Sequence, residues 1–187
     1  MIREKRGWPL WVVGLLSALV VAGCRGESKG ANSPTDAGSS YVEPALPADP
    51  GEAGKETVTG IDSDGDGVRD DLQRYIAQTF PSSARARAAL RQMAKALQAL
   101  VLVPAGDKNA ALNAGDRIAR AADCLVYAMP QGAGDASDGL EAQLTNTDAR
   151  LQAYFAANAL CNGGLFSGSP NASKGATCEV DLAQLPN

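Results

Sequence analysis

Every strongly periodic stretch of this chain after residue 68 repeats its apolar residues at intervals of three and four, and none alternates at two. That restricts the fold to packed helices, since a half-buried strand needs period two. Leu72, Tyr75, Ile76 and Phe80 make a short amphipathic helix ended by Pro81. Ser83 can cap a second, in which Ala86, Ala89, Leu90, Met93, Leu97, Leu100 and Val101 form the inward stripe while Arg85, Arg87, Arg91 and Lys95 face away. Asp107 or Asn109 can open a third, loosened at Gly115, with Ile118, Ala121, Ala122, Leu125 and Met129 inward and Pro130 after it. The run QGAGDASDG reads as a loop. A fourth helix starts near Thr145 to Thr147, turns Leu151, Tyr154, Phe155, Asn158 and Leu160 inward, and stops at Gly163-Gly164. Abundant Ala with 5% aromatics suits close helix packing. The expectation is an all-α bundle of about four helices with an irregular tail from Leu165, over which Leu165, Phe166, Val180 and Leu182 can pack.

Upstream the composition changes twice. Residues 1–23 have a basic start (Arg3, Lys5, Arg6), an apolar run from Leu10 to Val21 and then small residues, the order of an export signal. The apolar run is short for a membrane span of ~20 residues. Residues 24–60 are rich in Gly, Ser, Pro and Ala and hold few large apolar side chains, so a flexible linker is expected there. Its root-mean-square span would be about 33 Å. The segment Glu43-Pro44-Ala45-Leu46-Pro47 is the alternative within it, a proline-bearing recognition peptide. Residues 61–187 then form the folded domain.

Val21-Ala22-Gly23-Cys24 resembles a bacterial lipoprotein lipobox. That resemblance implies cleavage before Cys24, acylation of Cys24 and anchoring to a membrane, where several acyl chains hold far more durably than one. By the enteric version of that family's rule, Arg25 in place of an Asp implies the outer membrane, with the domain facing the periplasm.

The stretch Asp62-Ser63-Asp64-Gly65-Asp66-Gly67-Val68-Arg69-Asp70-Asp71-Leu72-Gln73 carries the most chemistry. With Asp62 as position 1, side-chain oxygens fall at positions 1, 3, 5 and 9 (Asp62, Asp64, Asp66, Asp70), Gly67 takes position 6 and the Val68 carbonyl position 7. A hard cation wants six to eight oxygens, and alternate residues of a tight loop converge on one point if a glycine permits the turn. The loop resembles calcium-binding repeats of the EF-hand, dockerin and thrombospondin type 3 kind, which implies Ca²⁺. It departs at position 12, where a bidentate Glu is replaced by Gln73; either Gln73 or Asp71 completes the shell, and an affinity of about 10⁻⁴ to 10⁻³ M is expected. A solvated acidic turn capping the next helix is the competing reading. GVRDDLQRYI and NTDARLQAYFAANAL further resemble a group of bacterial secreted proteins with a GVRDD loop before a helical body, which implies a structural loop and no particular activity.

The chain has no His, which removes Ser-His-Asp and Cys-His nucleophile systems and His-ligated zinc. A formal charge of −4, more negative once the basic leader is gone, argues against nucleic acid as a partner. With Cys24 acylated, Cys124, Cys161 and Cys178 remain, and an oxidising compartment favours one disulfide among them. Cys161 with Cys178 closes the shorter loop; Cys124 with Cys178 ties the apolar-poor tail to the third helix and is preferred. The leading function is a non-enzymatic envelope structural or interaction module with an unidentified protein partner. A small-ligand binder with an inter-helix cleft lined by Tyr75, Tyr127, Tyr154 and Asn158 is the alternative, and a carboxylate-based enzyme fits least well.

Overall fold

The computed structural model describes residues 42–187; the export segment, the lipobox, Cys24 and the first part of the expected linker lie outside the described residues. The described chain is all-helical, with five α-helices: α1 Asp70–Thr79, α2 Ala84–Val101, α3 Lys108–Ala128, α4 Ala133–Leu144 and α5 Asp148–Leu160. Three 3-10 helices, Gly51–Lys55, Asn171–Thr177 and Leu182–Gln184, flank them.

α2 is the central element and packs against the other four α-helices. Thirteen of its eighteen residues are buried, so its predicted stripe is wider than one face, and Ala88, Ala94 and Ala96 let neighbours approach closely on the other sides. The capping side chains fall where expected: Ser83 Oγ accepts from the Ala86 N–H at 3.1 Å, Asp107 Oδ1 from that of Ala110 at 2.9 Å and Thr147 Oγ1 from that of Arg150 at 3.3 Å. Gly115 does not interrupt α3.

Several expectations are corrected. QGAGDASDG is not a loop, because most of it lies in α4, which buries Ala136, Leu140 and Leu144. Gly134 and Gly139 lower its helix propensity by about 1 kcal/mol each, but Gly139 is where the Tyr75 hydroxyl seats, and a Cβ there would strike that oxygen. Tertiary packing overrides propensity here. On α5, Leu151 and Phe155 point to solvent, Phe155 being 60% exposed, while Arg150 and Ala157 are buried; Asn158 is also exposed. The buried face of α5 follows the carbonyls of Gly54, Thr57 and Val58 that Arg150 meets, partners that a hydrophobic stripe does not register.

The basic side of α2 is covered. Arg91 is 6% exposed and its Nη1 lies 2.6 Å from Glu43 Oε1; Arg87 Nε and Nη2 donate to the same carboxylate at 3.1 and 3.3 Å; Arg85 Nε donates to the Leu185 carbonyl at 3.0 Å. Accordingly the expected leash does not run to Gly60. Residues 43–60 lie along the bundle, held also by Arg74 Nη1 on the Pro47 carbonyl at 2.8 Å. The proline-bearing peptide is engaged by its own domain. Burial alone would raise the Glu43 carboxyl, yet hydrogen bonds and charge from Arg87 and Arg91 hold it below the usual carboxylate range.

The tail is tied at several points. Cys124 and Cys178 are joined, the preferred pairing, and Cys161 stays free. The Gln92 amide brackets the linkage, donating to the Thr177 carbonyl at 2.8 Å and accepting from the Glu179 N–H at 2.9 Å. Leu182 and Leu185 are buried and Val180 is half-buried, whereas Leu165 is 94% exposed.

Candidate metal centre

The acidic loop is shaped by two left-handed glycines, Gly65 at φ 71° and Gly67 at φ 87°, conformations in which a Cβ would be strained. Its carboxylates fold back on the loop's own backbone. Asp62 Oδ1 accepts from the Gly65 N–H at 2.9 Å and its Oδ2 from that of Gly67 at 3.0 Å; Asp64 Oδ1 accepts from that of Asp66 at 3.3 Å. The loop closes on α1 through the Asp70 N–H to the Ile61 carbonyl at 2.8 Å and the Ser63 N–H to Asp70 Oδ1 at 2.9 Å. Fully buried Val68 pins it to the core.

This geometry brings one oxygen each of Asp62, Asp64 and Asp70 within 4.8 Å of one another. Asp66 does not join them; its Oδ1 accepts from the Val68 N–H at 2.7 Å. Gln73 reaches the cluster from α1, its Nε2 donating to both Asp64 oxygens at 3.2 and 3.1 Å. The Gln73 amide, aided by the Asp66 N–H and opposed by burial, holds the Asp64 carboxyl below its ordinary range. Gln73 is fully buried and its Oε1 has no hydrogen-bond partner, a costly state for an amide oxygen.

Asp71, the other candidate for closing the shell, is turned the opposite way. It takes a forked pair from Arg69 Nε and Nη2, both at 2.9 Å, and a bond from Asn146 Nδ2 at 3.2 Å, and Arg150 Nη1 stands 3.9 Å off. Burial would raise its carboxyl, but Arg69, then Asn146 and Arg150, hold it low.

Sequence reasoning missed Arg69 and Arg150, both at 0% exposure. Arg69 Nη1 and Nη2 donate to the Leu144 and Gln143 carbonyls at 3.1 and 3.2 Å, satisfying the open end of α4. Arg150 Nε donates to the Val58 carbonyl at 3.2 Å, Nη2 to that of Thr57 at 3.0 Å and to that of Gly54, and Nη1 to Asn146 Oδ1 at 2.6 Å. Burial, then the charge of Arg69, push the Arg150 guanidinium down, and Asp71 opposes them. The available signal was an Arg set inside an otherwise acidic loop, and another one turn into a capped helix.

A second concave feature lies between α2, α3, α4 and α5, a cleft of about 280 Å³. Tyr154 and Asn158 line it, as the binder reading expects; Tyr75 and Tyr127 do not, since Tyr75 seats on Gly139 and Tyr127 on Gly175. Burial, then the charge of the neighbouring Glu141, push the Tyr154 phenol up to about 12.

Comparison with protein-family models, with curated proteins and with solved structures finds no match to the chain. Among the described residues, no helix is long and apolar enough to cross a membrane.

Proposed function

We propose that the protein is a non-enzymatic envelope module, anchored to a membrane through acylated Cys24, whose acidic loop holds a structural Ca²⁺. The observation that carries the metal reading is the convergence of Asp62, Asp64 and Asp70 beside the unpartnered Oε1 of buried Gln73. Half a turn of the Gln73 amide would exchange its nitrogen and oxygen, presenting an oxygen where the nitrogen now meets Asp64. Asp62, Asp64, Asp70 and Gln73 would hold the ion, with Asp66 and the Val68 carbonyl added by loop position. Asp71 is engaged by Arg69 and is left out of the shell. Oxygen-only donors in a flexible, many-membered set suit Ca²⁺ better than the stricter octahedron of Mg²⁺.

The role of the ion in this reading is stability. It would relieve the mutual repulsion of three carboxylates and fix a loop that joins residues 43–60 to α1. A site that binds only the folded state contributes about 1.4 kcal/mol at tenfold excess over Kd, worth several degrees in Tm. The test compares melting in millimolar calcium and in chelator. Wild type should rise in calcium, Asp62→Ala should lose the rise, and Gln73→Glu should tighten binding by restoring a bidentate carboxylate. Equal melting in both conditions, with no calorimetric binding at millimolar calcium, would leave an acidic turn only. For the anchor, Cys24→Ser should release the protein from membranes, and continued fractionation with them would refute it.

A further inference from the structure

We propose that the cleft between α2, α3, α4 and α5 binds a small amphipathic ammonium, an apolar ring-sized body bearing one protonated amine that pairs with Glu141. The cleft shares no residue with the acidic loop, so this inference stands or falls separately from the calcium reading.

The walls set the body of the ligand. Leu97, Leu100, Ile118 and Phe166 supply apolar surface, and about 280 Å³ is nearly twice the ~150 Å³ cavity that holds benzene. That is room for one ring and a short chain. The space depends on a missing side chain, for a Cβ at Gly115 would run into the Phe166 ring that sits at the cleft. A glycine within α3 costs about 1 kcal/mol relative to Ala, and here it lets an aromatic wall approach the helix.

The polar groups set the head. Glu141 is the one charged residue among those lining the cleft, and Ser137, Tyr154 and Asn158 are neutral donors or acceptors around it. The Glu141 carboxylate is half-buried in the same lining as Tyr154, and its oxygens have lone pairs to offer a donor. An ammonium would pair with that charge as it became shielded from water. An anionic head would meet like charge, and a purely apolar ligand would bury the carboxylate without a partner. The charge of the wall therefore selects among ligands that the volume alone admits.

The full chain is titrated by calorimetry with three probes that share a body and differ in head: 2-phenylethylammonium, 2-phenylethanol and 3-phenylpropanoate. The ammonium should bind best, by about tenfold over the alcohol, as a charge-assisted hydrogen bond is worth, with amide shifts in the nuclear magnetic resonance spectrum at Tyr154 and Asn158. Glu141→Gln should reduce that preference to under about twofold. Ala119→Leu, which fills the half-buried rim and leaves Glu141 in place, should weaken all three probes and guards against a Glu141 variant that fails to fold. Undiminished ammonium preference in Glu141→Gln, equal binding of the propanoate, or no binding of any probe at ~10 mM would each overturn the proposal.

Discussion

Arg150→Leu should be the most damaging single change outside the apolar core. The side chain donates to the carbonyls of Gly54, Thr57 and Val58 and to Asn146 Oδ1, and it is fully buried. Leucine covers only the inner part of the arginine stem, is three heavy atoms smaller, and offers no donor. The Gly54 carbonyl lies in a buried contact, and an unsatisfied acceptor there costs about 1–3 kcal/mol; the three partly buried partners can recover some water and cost roughly 0.5–1.5 kcal/mol each. Removing the buried charge returns part of this, since its desolvation is no longer needed, while Asp71 keeps Arg69 and is not orphaned. The net expectation is a loss of about 3–4 kcal/mol, a large share of the 5–15 kcal/mol typical of a domain.

Urea unfolding measures the loss, and native-state hydrogen exchange locates it. The amides of Gly54, Glu56 and Gly60, bonded to the Pro50 and Ala53 carbonyls and to Thr57 Oγ1, should lose protection before those of α2. Arg150→Lys keeps the charge but cannot fork to three carbonyls, so it should recover less than half of the stability. Should Arg150→Leu lie within about 0.5 kcal/mol of wild type, or Lys substitute fully, then the guanidinium does not hold residues 54–58 and the reasoning fails.

Gly60→Ala should cost about 2–3 kcal/mol by urea unfolding, because φ is +70° and the new Cβ would lie 2.5 Å from Arg69 Cδ and 2.8 Å from Arg150 Nη2; Gly106→Ala, also at positive φ but facing open space, should cost only about 1 kcal/mol. Acid should unfold the domain through Asp71, Glu43 and Asp123, whose carboxyls are all held low in the fold, that of Asp123 by the Ser169 N–H and by Lys174. A lowered native pKa gives stability that is present above the unfolded carboxylate range and is lost as pH falls through the native value, so Tm should hold to about pH 5 and drop below about pH 4. Asp71→Asn should start less stable at neutral pH and show a shallower acid limb; an unchanged limb would remove Asp71 from the account.

What the sequence made legible were features whose physics is local. Ser83 caps the helix it was expected to cap, and Asp107 and Thr147 are the caps among the starts left open at Asp107 or Asn109 and at Thr145 to Thr147, because a capping oxygen needs only a backbone amide three residues on. The α2 stripe and the convergence of Asp62, Asp64 and Asp70 follow from period and loop spacing in the same way. The preferred Cys124–Cys178 pairing rested on the tail's lack of apolar residues, which is also local information. Features created by distant partners were not legible. α4 is stabilised by Tyr75 seating on Gly139, and nothing within residues 131–139 announces that neighbour. Arg91 and Arg150 read as solvent-facing by chemistry, yet they are buried because Glu43 and the carbonyls of residues 54–58 come to them from 48 or more residues away.

The arginine pair also decides where the domain begins. Two fully buried guanidiniums, Arg69 and Arg150, share the single carboxylate of Asp71, an arrangement with excess positive charge that desolvation should forbid. It is tolerated because backbone carbonyls act as the remaining counter-charge. Arg69 takes the last two carbonyls of α4, the negative end of that helix, and Arg150 takes three from residues 54–58. Those three carbonyls belong to the stretch whose composition suggests a spacer, so the spacer's last residues are needed to solvate a charge in the fold. Trimming the chain to Gly60 would leave Arg150 buried with only Asn146 and a distant carboxylate. The folded unit therefore reaches back at least to Gly54, and the acidic loop lies inside it, held between a carbonyl-bound arginine on one side and the first turn of α1 on the other.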